Sequence, residues 1–142
     1  MQTEMAGEEL ARSLGAHDYV DGEEGDVAEA LQMMGGARAI IATVTSADAM
    51  QAIVGGLGPN GVMMVIGAVG TFPVDALGLL GKRAAVKGWY LGVAADSEDT
   101  LAFSQLNNVN SMNEIFPFEE AQTAYDRMMS GKARFRVVLK MR

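Results

Sequence analysis

Short runs that are apolar on both faces alternate with stretches of helical periodicity along most of this chain, and few architectures accept that alternation. Residues 37–44, Ala-Arg-Ala-Ile-Ile-Ala-Thr-Val, carry one charge near the start and are otherwise apolar or small. Val62-Met63-Met64-Val65-Ile66 repeats the pattern, and residues 84–91 give a third run. Strands with no polar face belong in parallel sheets that are covered on both sides. Between the first two runs, Met50, Ile53, Val54 and Leu57 fall at the i, i+3, i+4, i+7 spacing of one buried helical face. Ser46 is placed to cap that helix, and Asp48 lies in its first turn, where negative charge suits the dipole. The turn Gly58-Pro59-Asn60-Gly61 follows. Asp26 is placed to cap an earlier helix that stops at Gly35-Gly36, and Asp96 a later one through Leu101, Phe103 and Leu106. Residues 75–80 read as a short helix or turn. At the front, Glu8 to Leu14 is helical with Gly15 as its stop, and Tyr19-Val20 is a short strand candidate. Strands alternating with helices imply βαβ units, right-handed crossovers and a mainly parallel sheet. The tail changes character. Residues 113–118 are extended, Glu119 to Ser130 is an amphipathic helix ended by Gly131, and Phe135 to Met141 is a last strand.

With 142 residues, 49% of them hydrophobic and 20% charged, the chain can bury a real core. No apolar run reaches the roughly 18 residues of a membrane span. The Met1-Gln2-Thr3-Glu4 start lacks the cationic and apolar regions of a signal peptide, so a cytoplasmic location is expected. A net charge of -7 repels nucleic acid and anionic membranes, and the one basic cluster, Lys132 to Arg142, has little aromatic interleaving. The absence of Cys removes disulfides, thiolate nucleophiles and cysteine zinc sites. His17 is the single histidine, and one imidazole cannot build a tetrahedral zinc site or anchor a triad with any partner that the spacing singles out. It reads as a polar surface group in a loop. The carboxylates between Asp21 and Glu29 read as a solvated loop and helix start, and the 11 methionines as flexible core filler.

Two glycine-rich stretches invite comparison with phosphate-binding loops, which open a helix after a strand. Gly55-Gly56-Leu57-Gly58 follows a helix instead. Gly67-Ala68-Val69-Gly70 follows a strand, but the residues after it make no convincing helix. The favoured reading there is a close backbone approach at a strand end.

From about Glu9 to Met141 the chain resembles the C-terminal part of zinc-type, medium-chain alcohol dehydrogenases. The resemblance is carried by Ala11-Arg12-Ser13-Leu14-Gly15-Ala16-His17, by Leu57-Gly58-Pro59-Asn60-Gly61 and by Val65-Ile66-Gly67. It continues through Val86-Lys87-Gly88-Trp89-Tyr90-Leu91-Gly92, Phe116-Pro117-Phe118-Glu119-Glu120-Ala121, Ser130-Gly131-Lys132 and Arg136-Val137-Val138-Leu139. It implies an α/β fold: an incomplete Rossmann-like, mainly parallel sheet with helices on both faces, plus a C-terminal strand-helix-strand segment. Residues 1–112 would be a partial NAD(P)-binding domain lacking its first two strands and its G-x-G-x-x-G loop. Residues 113–142 would return to the catalytic domain.

The resemblance also implies where a nicotinamide dinucleotide would be met. Ala42, Thr43 and Val44 match the fourth Rossmann strand's end, on the adenosine ribose side. Ile66, Gly67 and Ala68 match the fifth strand's end, near the nicotinamide ribose. Trp89, Tyr90 and Leu91 match the sixth, where backbone groups hold the carboxamide. Arg136 aligns with an arginine that reaches the pyrophosphate, a task suited to a guanidinium fork. Zinc belongs to the full-length family, but its ligands are not in this chain, and no catalytic residue is assigned here. Without the first two strands the fourth has an open edge, which invites association. Either Tyr19-Val20 moves beside Ile40-Ile41 or another chain covers that edge. Family dimers pair their sixth strands, so a homodimer through Val86 to Leu91 is expected. Two functions follow: a cofactor-domain portion of an alcohol dehydrogenase that is not catalytic alone, or a non-catalytic self-association or interaction module.

Overall fold

Three of the apolar runs form one parallel sheet. In a computed structural model describing residues 2–141 (side chains from residue 7), β1 (Ala37–Ala42), β2 (Leu57–Val65) and β3 (Ala85–Gly88) lie in the order β1-β2-β3. The ladder sets Ile40 beside Met63 and Ala42 beside Val65, then Met63 beside Val86 and Val65 beside Gly88. Because strand side chains alternate, these residues share one face. That face is the core: Ala42, Met63 and Leu57 are buried with Met50 and Val54 of α3 (Ala47–Val54), and Ile40, Val65, Val86 and Leu79 pack around them.

The chain divides into two compact units, Met1–Tyr90 and Leu91–Arg142. The first opens with α1 (Gln2–Ser13), which the left-handed Gly15 (φ +101°) follows, as expected for a stop. Asp26 caps α2 (Val27–Met33), accepting from the Glu29 amide at 3.0 Å, and Ser46 caps α3 by accepting from the Ala49 amide at 3.3 Å. Asp75 caps α4 (Ala76–Lys82) by accepting from Leu77. The Gly55 carbonyl, just past α3, accepts from Gln32 Nε2 at 2.7 Å and from Lys82 Nζ at 2.9 Å. One helix terminus thereby holds the ends of α2 and α4, with a cation where the dipole favours it. Gly36, at φ +80°, ends the α2 turn where a Cβ would sit 2.6 Å from the Gly58 Cα, so the approach of that turn to β2 requires glycine.

Several expectations are corrected. Tyr19-Val20 forms no strand, and α2 follows a loop instead; two residues with no neighbour to ladder against have nothing to hold them extended. The edge of β1 is therefore unpaired among the described residues. Residues 57–61 do not simply turn the chain. Leu57 already pairs with Ala37, and Gly58 to Gly61 are absorbed as an irregularity before Val62 pairs with Ala39. The first strand reads as buried on both faces, yet Ile41 is 65% exposed: only the Ile40–Ala42 face is packed by helices of this unit. The third run ends as a strand at Gly88, so Trp89, Tyr90 and Leu91 lie beyond it.

In the second unit, α5 (Ala94–Leu106) begins after Val93, whose amide donates to Asp96 Oδ2 at 2.6 Å. Asp96 thus works from the helix's first turn rather than from the cap position. The expected strand-helix-strand segment is present as a parallel pair, β4 (Asn113–Pro117) and β5 (Arg136–Lys140). A 3-10 turn (Phe118–Glu120) and α6 (Ala121–Met129) connect them, and Gly131, at φ +68°, turns the chain out. Of the apolar face predicted for this helix, Ala124 is buried while Tyr125, Met128 and Met129 stay half exposed or more.

Candidate functional site

The carboxyl ends of parallel strands are where open α/β sheets meet ligands. In the first unit they are drawn together by main-chain bonds. The Ala42 carbonyl accepts from the amides of both Ile66 (2.9 Å) and Gly67 (3.0 Å), and the Trp89 amide donates to the Val65 carbonyl at 3.1 Å. So Ala42-Thr43-Val44, Ile66-Gly67-Ala68 and Trp89-Tyr90 form one ledge across the three strand ends. Ala42 is buried beneath it, whereas Thr43, Val44, Ile66, Ala68, Trp89 and Tyr90 are exposed. Lys87 Nζ lies 5.3 Å from the centroid of the Trp89 ring, a cation–π contact at the rim.

Gly67 is the tightest point. A Cβ there would overlap the Val44 carbonyl oxygen and lie 2.8 Å from that of Thr43. The glycine is required because two strand tails touch, as its position after the strand suggested. The segment that follows it stays irregular until α4 begins at Ala76, so Gly67 to Gly70 does not build a phosphate loop. Gly55 and Gly56 likewise close α3 rather than open a helix.

The remaining two predicted residues belong to the second unit. Leu91 is its first residue and is exposed. Arg136 opens β5, paired with Asn113 and exposed, with its amide donating to the Met112 carbonyl at 3.3 Å.

Two features lie outside what the sequence reading singles out. One is a cavity of about 490 Å³ between α3 and α4, lined by Gln51, Val54, Leu57, Val74, Asp75 and Lys82 among others. It shares no residue with the ledge. The other is a carboxylate on β4. Glu114 takes a two-pronged bond from Arg127 of α6, Nε to Oε2 at 2.7 Å and Nη2 to Oε1 at 2.8 Å, and accepts the Arg134 amide at 3.0 Å. These bonds, the Arg127 guanidinium first, hold the Glu114 carboxyl at about 2, well below its ordinary 4.5. The one available hint was a charge at an inward position of an alternating strand.

No group of three or more metal-ligating side chains occurs among the described residues. His17 is exposed, and its carbonyl accepts from Arg12 Nη1 at 2.7 Å. The donor set of the described residues therefore does not fit zinc. In the acidic stretch Glu23, Glu24, Asp26 and Glu29 are exposed and Asp21 is half-buried, and the carboxylates are used locally: Asp21 accepts from the Glu23 amide and Asp26 caps α2.

A parallel three-stranded sheet with connecting helices and an open ledge at its strand ends defines a partial Rossmann-like α/β protein. Residues 3–106 match the profile of the zinc-binding dehydrogenases, and the chain belongs to that family. It is 38% identical over 134 residues to alcohol dehydrogenase patD of Penicillium expansum, covering 94% of this chain and 39% of that protein. It is 27% identical over 135 residues to an alcohol dehydrogenase of Geobacillus stearothermophilus, covering 94% of this chain and 40% of that one. Among solved structures, benzyl alcohol dehydrogenase from Acinetobacter calcoaceticus superposes with a TM-score of 0.81 at 20% identity, over 96% of this chain and 41% of its own. The chain thus spans about two-fifths of the length of these relatives, over their C-terminal portion.

Proposed function

We propose that this chain is the cofactor-side portion of an NAD(P)-dependent alcohol dehydrogenase, and that it binds dinucleotide without oxidising alcohol by itself. The observation that carries this reading is the ledge at the three strand ends, where the Ala42 and Val65 carbonyls gather the tails 42–44, 66–68 and 89–90. In this reading Ala42, Thr43 and Val44 meet the adenosine ribose, and Ile66, Gly67 and Ala68 the nicotinamide ribose. Backbone groups of Trp89, Tyr90 and Leu91 hold the carboxamide, and Arg136 answers the pyrophosphate charge. Residues 1–112 serve the cofactor and 113–142 lead back to a catalytic domain. The nicotinamide would supply the hydride chemistry. Polarising an alcohol in this family's manner needs zinc ligands, and a chain with no Cys and one exposed His does not provide them. We propose a cytoplasmic location; no helix among the described residues is long and apolar enough to cross a membrane.

Titrating NADH while following its emission and that of Trp89 tests the proposal. Saturable binding is expected. No response at millimolar cofactor would favour the second reading, a self-association module. That reading has its own support in the unpaired edge of β1 and in Ile41, Leu101, Phe103 and Leu106, apolar side chains that remain 62–86% exposed. Either way we propose a homodimer through Val86 to Leu91. A strictly monomeric mass by light scattering at micromolar concentration would count against it.

A further inference from the structure

Glu114 is the second residue of β4, and its carboxylate is bonded to two other parts of the chain's last unit. Arg127 brings α6, and the Arg134 amide brings the loop that enters β5. The next two amides are also held: Phe135 and Arg136 donate to the Met112 carbonyl at 2.9 Å and 3.3 Å. Residues 134–136 thus have three consecutive amides tied to the start of β4, the first of them by a side chain.

The register explains what this accomplishes. Glu114 pairs with Val137 and Asn113 with Arg136. Neighbouring strand residues point to opposite faces. Glu114 and Val137, both partly buried, lie on the face that α6 covers, and Arg136 lies exposed on the other. The charge of Glu114 is consumed by Arg127 behind the strand pair, while Arg136 makes no ion pair among the described residues. Slippage by one residue would exchange Arg136 with Val137 and turn the guanidinium into α6.

We propose that Glu114 is a positioning residue: through Arg127 and the Arg134 amide it fixes the register of the β5 entry, and so presents Arg136, which has no ion-pair partner among the described residues, to the pyrophosphate of a dinucleotide. This rests on Arg136 being a pyrophosphate contact, as in the reading above. Glu114 touches no cofactor in this role and acts only through Arg136.

Two measurements on the full chain separate the inference from the reading beneath it. In the first, amide hydrogen exchange is compared between wild type and Glu114→Gln. Arg134 should exchange roughly tenfold faster, while α6 and the first unit's sheet keep their protection. Unchanged exchange at Arg134 would overturn the proposal. In the second, NADH affinity is measured by calorimetry for Glu114→Gln, Arg136→Ala and the double variant. Each single change should weaken binding by roughly three- to tenfold, and the double variant should be no weaker than Arg136→Ala within about twofold. Losses that multiply would show that Glu114 does not act through Arg136, which also overturns it. Wild-type affinity in Arg136→Ala would instead sink the pyrophosphate reading, and the exchange result would still decide whether Glu114 fixes the strand entry. Should Glu114→Gln fail to fold, Arg127→Lys, which keeps the cation and removes the fork, carries the same comparison.

Discussion

Replacing Gly67 by Ala tests whether the ledge is built by contact between strand tails. The added Cβ meets backbone, not the flexible end of a side chain: it would overlap the Val44 oxygen and lie 2.8 Å from the Thr43 oxygen, where ordinary contact begins near 3.4 Å. Neither carbonyl can rotate away alone, since Ala42, just before Thr43 and Val44, is bonded to the Ile66 and Gly67 amides. The tails must part by more than an ångström to relieve the Val44 contact. Overpacking of that kind costs about 1–3 kcal/mol. Weakening one of the two bonds to the Ala42 carbonyl adds about 1 kcal/mol. A destabilisation of about 2–4 kcal/mol follows, and at about 2 kcal/mol per molar urea the midpoint falls by about 1–2 M. Gly70→Ala is the control, because a Cβ there meets nothing within 4 Å, and it should stay within about 0.5 kcal/mol of wild type. Urea unfolding followed by Trp89 fluorescence measures both. Equal midpoints for the two variants would refute the argument, and would mean that the tails adjust freely.

Other substitutions probe the remaining layers. Met63 is fully buried at the centre of the sheet, so Met63→Ala should cost about 2–5 kcal/mol, whereas Ile41→Ala on the open face should cost under about 1 kcal/mol; the same urea assay ranks them. Ser46→Ala removes the acceptor for the Ala49 amide and should lose about 0.5–1 kcal/mol, read as a lower thermal midpoint. The Glu114 carboxyl titrates lower in the folded chain than when unfolded, about 2 against 4.5. Its stabilising contribution is therefore complete above about pH 4.5 and is lost as the pH falls towards 2. The stability gap between wild type and Glu114→Gln should narrow across that interval, and a gap that is constant from pH 5 to 2 would contradict the assignment.

What could be read from the sequence was whatever is decided locally. Asp26 and Ser46 cap where a short polar acceptor precedes an apolar-periodic run, because a cap involves only the next three residues. The βα alternation gave the parallel order, since βαβ connections leave few alternatives. Tyr19-Val20 failed because β-propensity expresses packing against a partner strand, and none stands beside it. The Gly58 to Gly61 turn was legible as turn chemistry, but Leu57 found a partner in Ala37 before it, so the turn became part of a strand. Family resemblance points to the three strand ends of the ledge, and hydrogen bonds supply the physical reason that they meet. Glu114 and Arg127 are 13 residues apart on different elements, a separation that no helical or strand period links.

Ile41 and Ile40 together show how far strand composition reaches. They are chemically identical neighbours, and the alternation of the strand sends one into the core of this unit and the other outward. A face made only to meet water would tolerate Thr or Lys at position 41, as antiparallel strands with a wetted face do. Ile41 instead leaves a large apolar side chain 65% exposed, beside Met64 in the neighbouring strand and one residue from the ledge. Nothing within the buried cluster of Met1–Tyr90 packs on it, so the side chain stays open to contact with further polypeptide. The measurement that follows is Ile41→Lys. If the face is covered by a second copy, the change should abolish self-association in light scattering while leaving the unfolding free energy of the monomer, measured at dissociating dilution, within about 0.5 kcal/mol, because no contact of the buried cluster is touched. A dimer that survives Ile41→Lys would leave the proposed Val86 to Leu91 edge as the surface that joins the copies, with the Ile41 face playing no part in it.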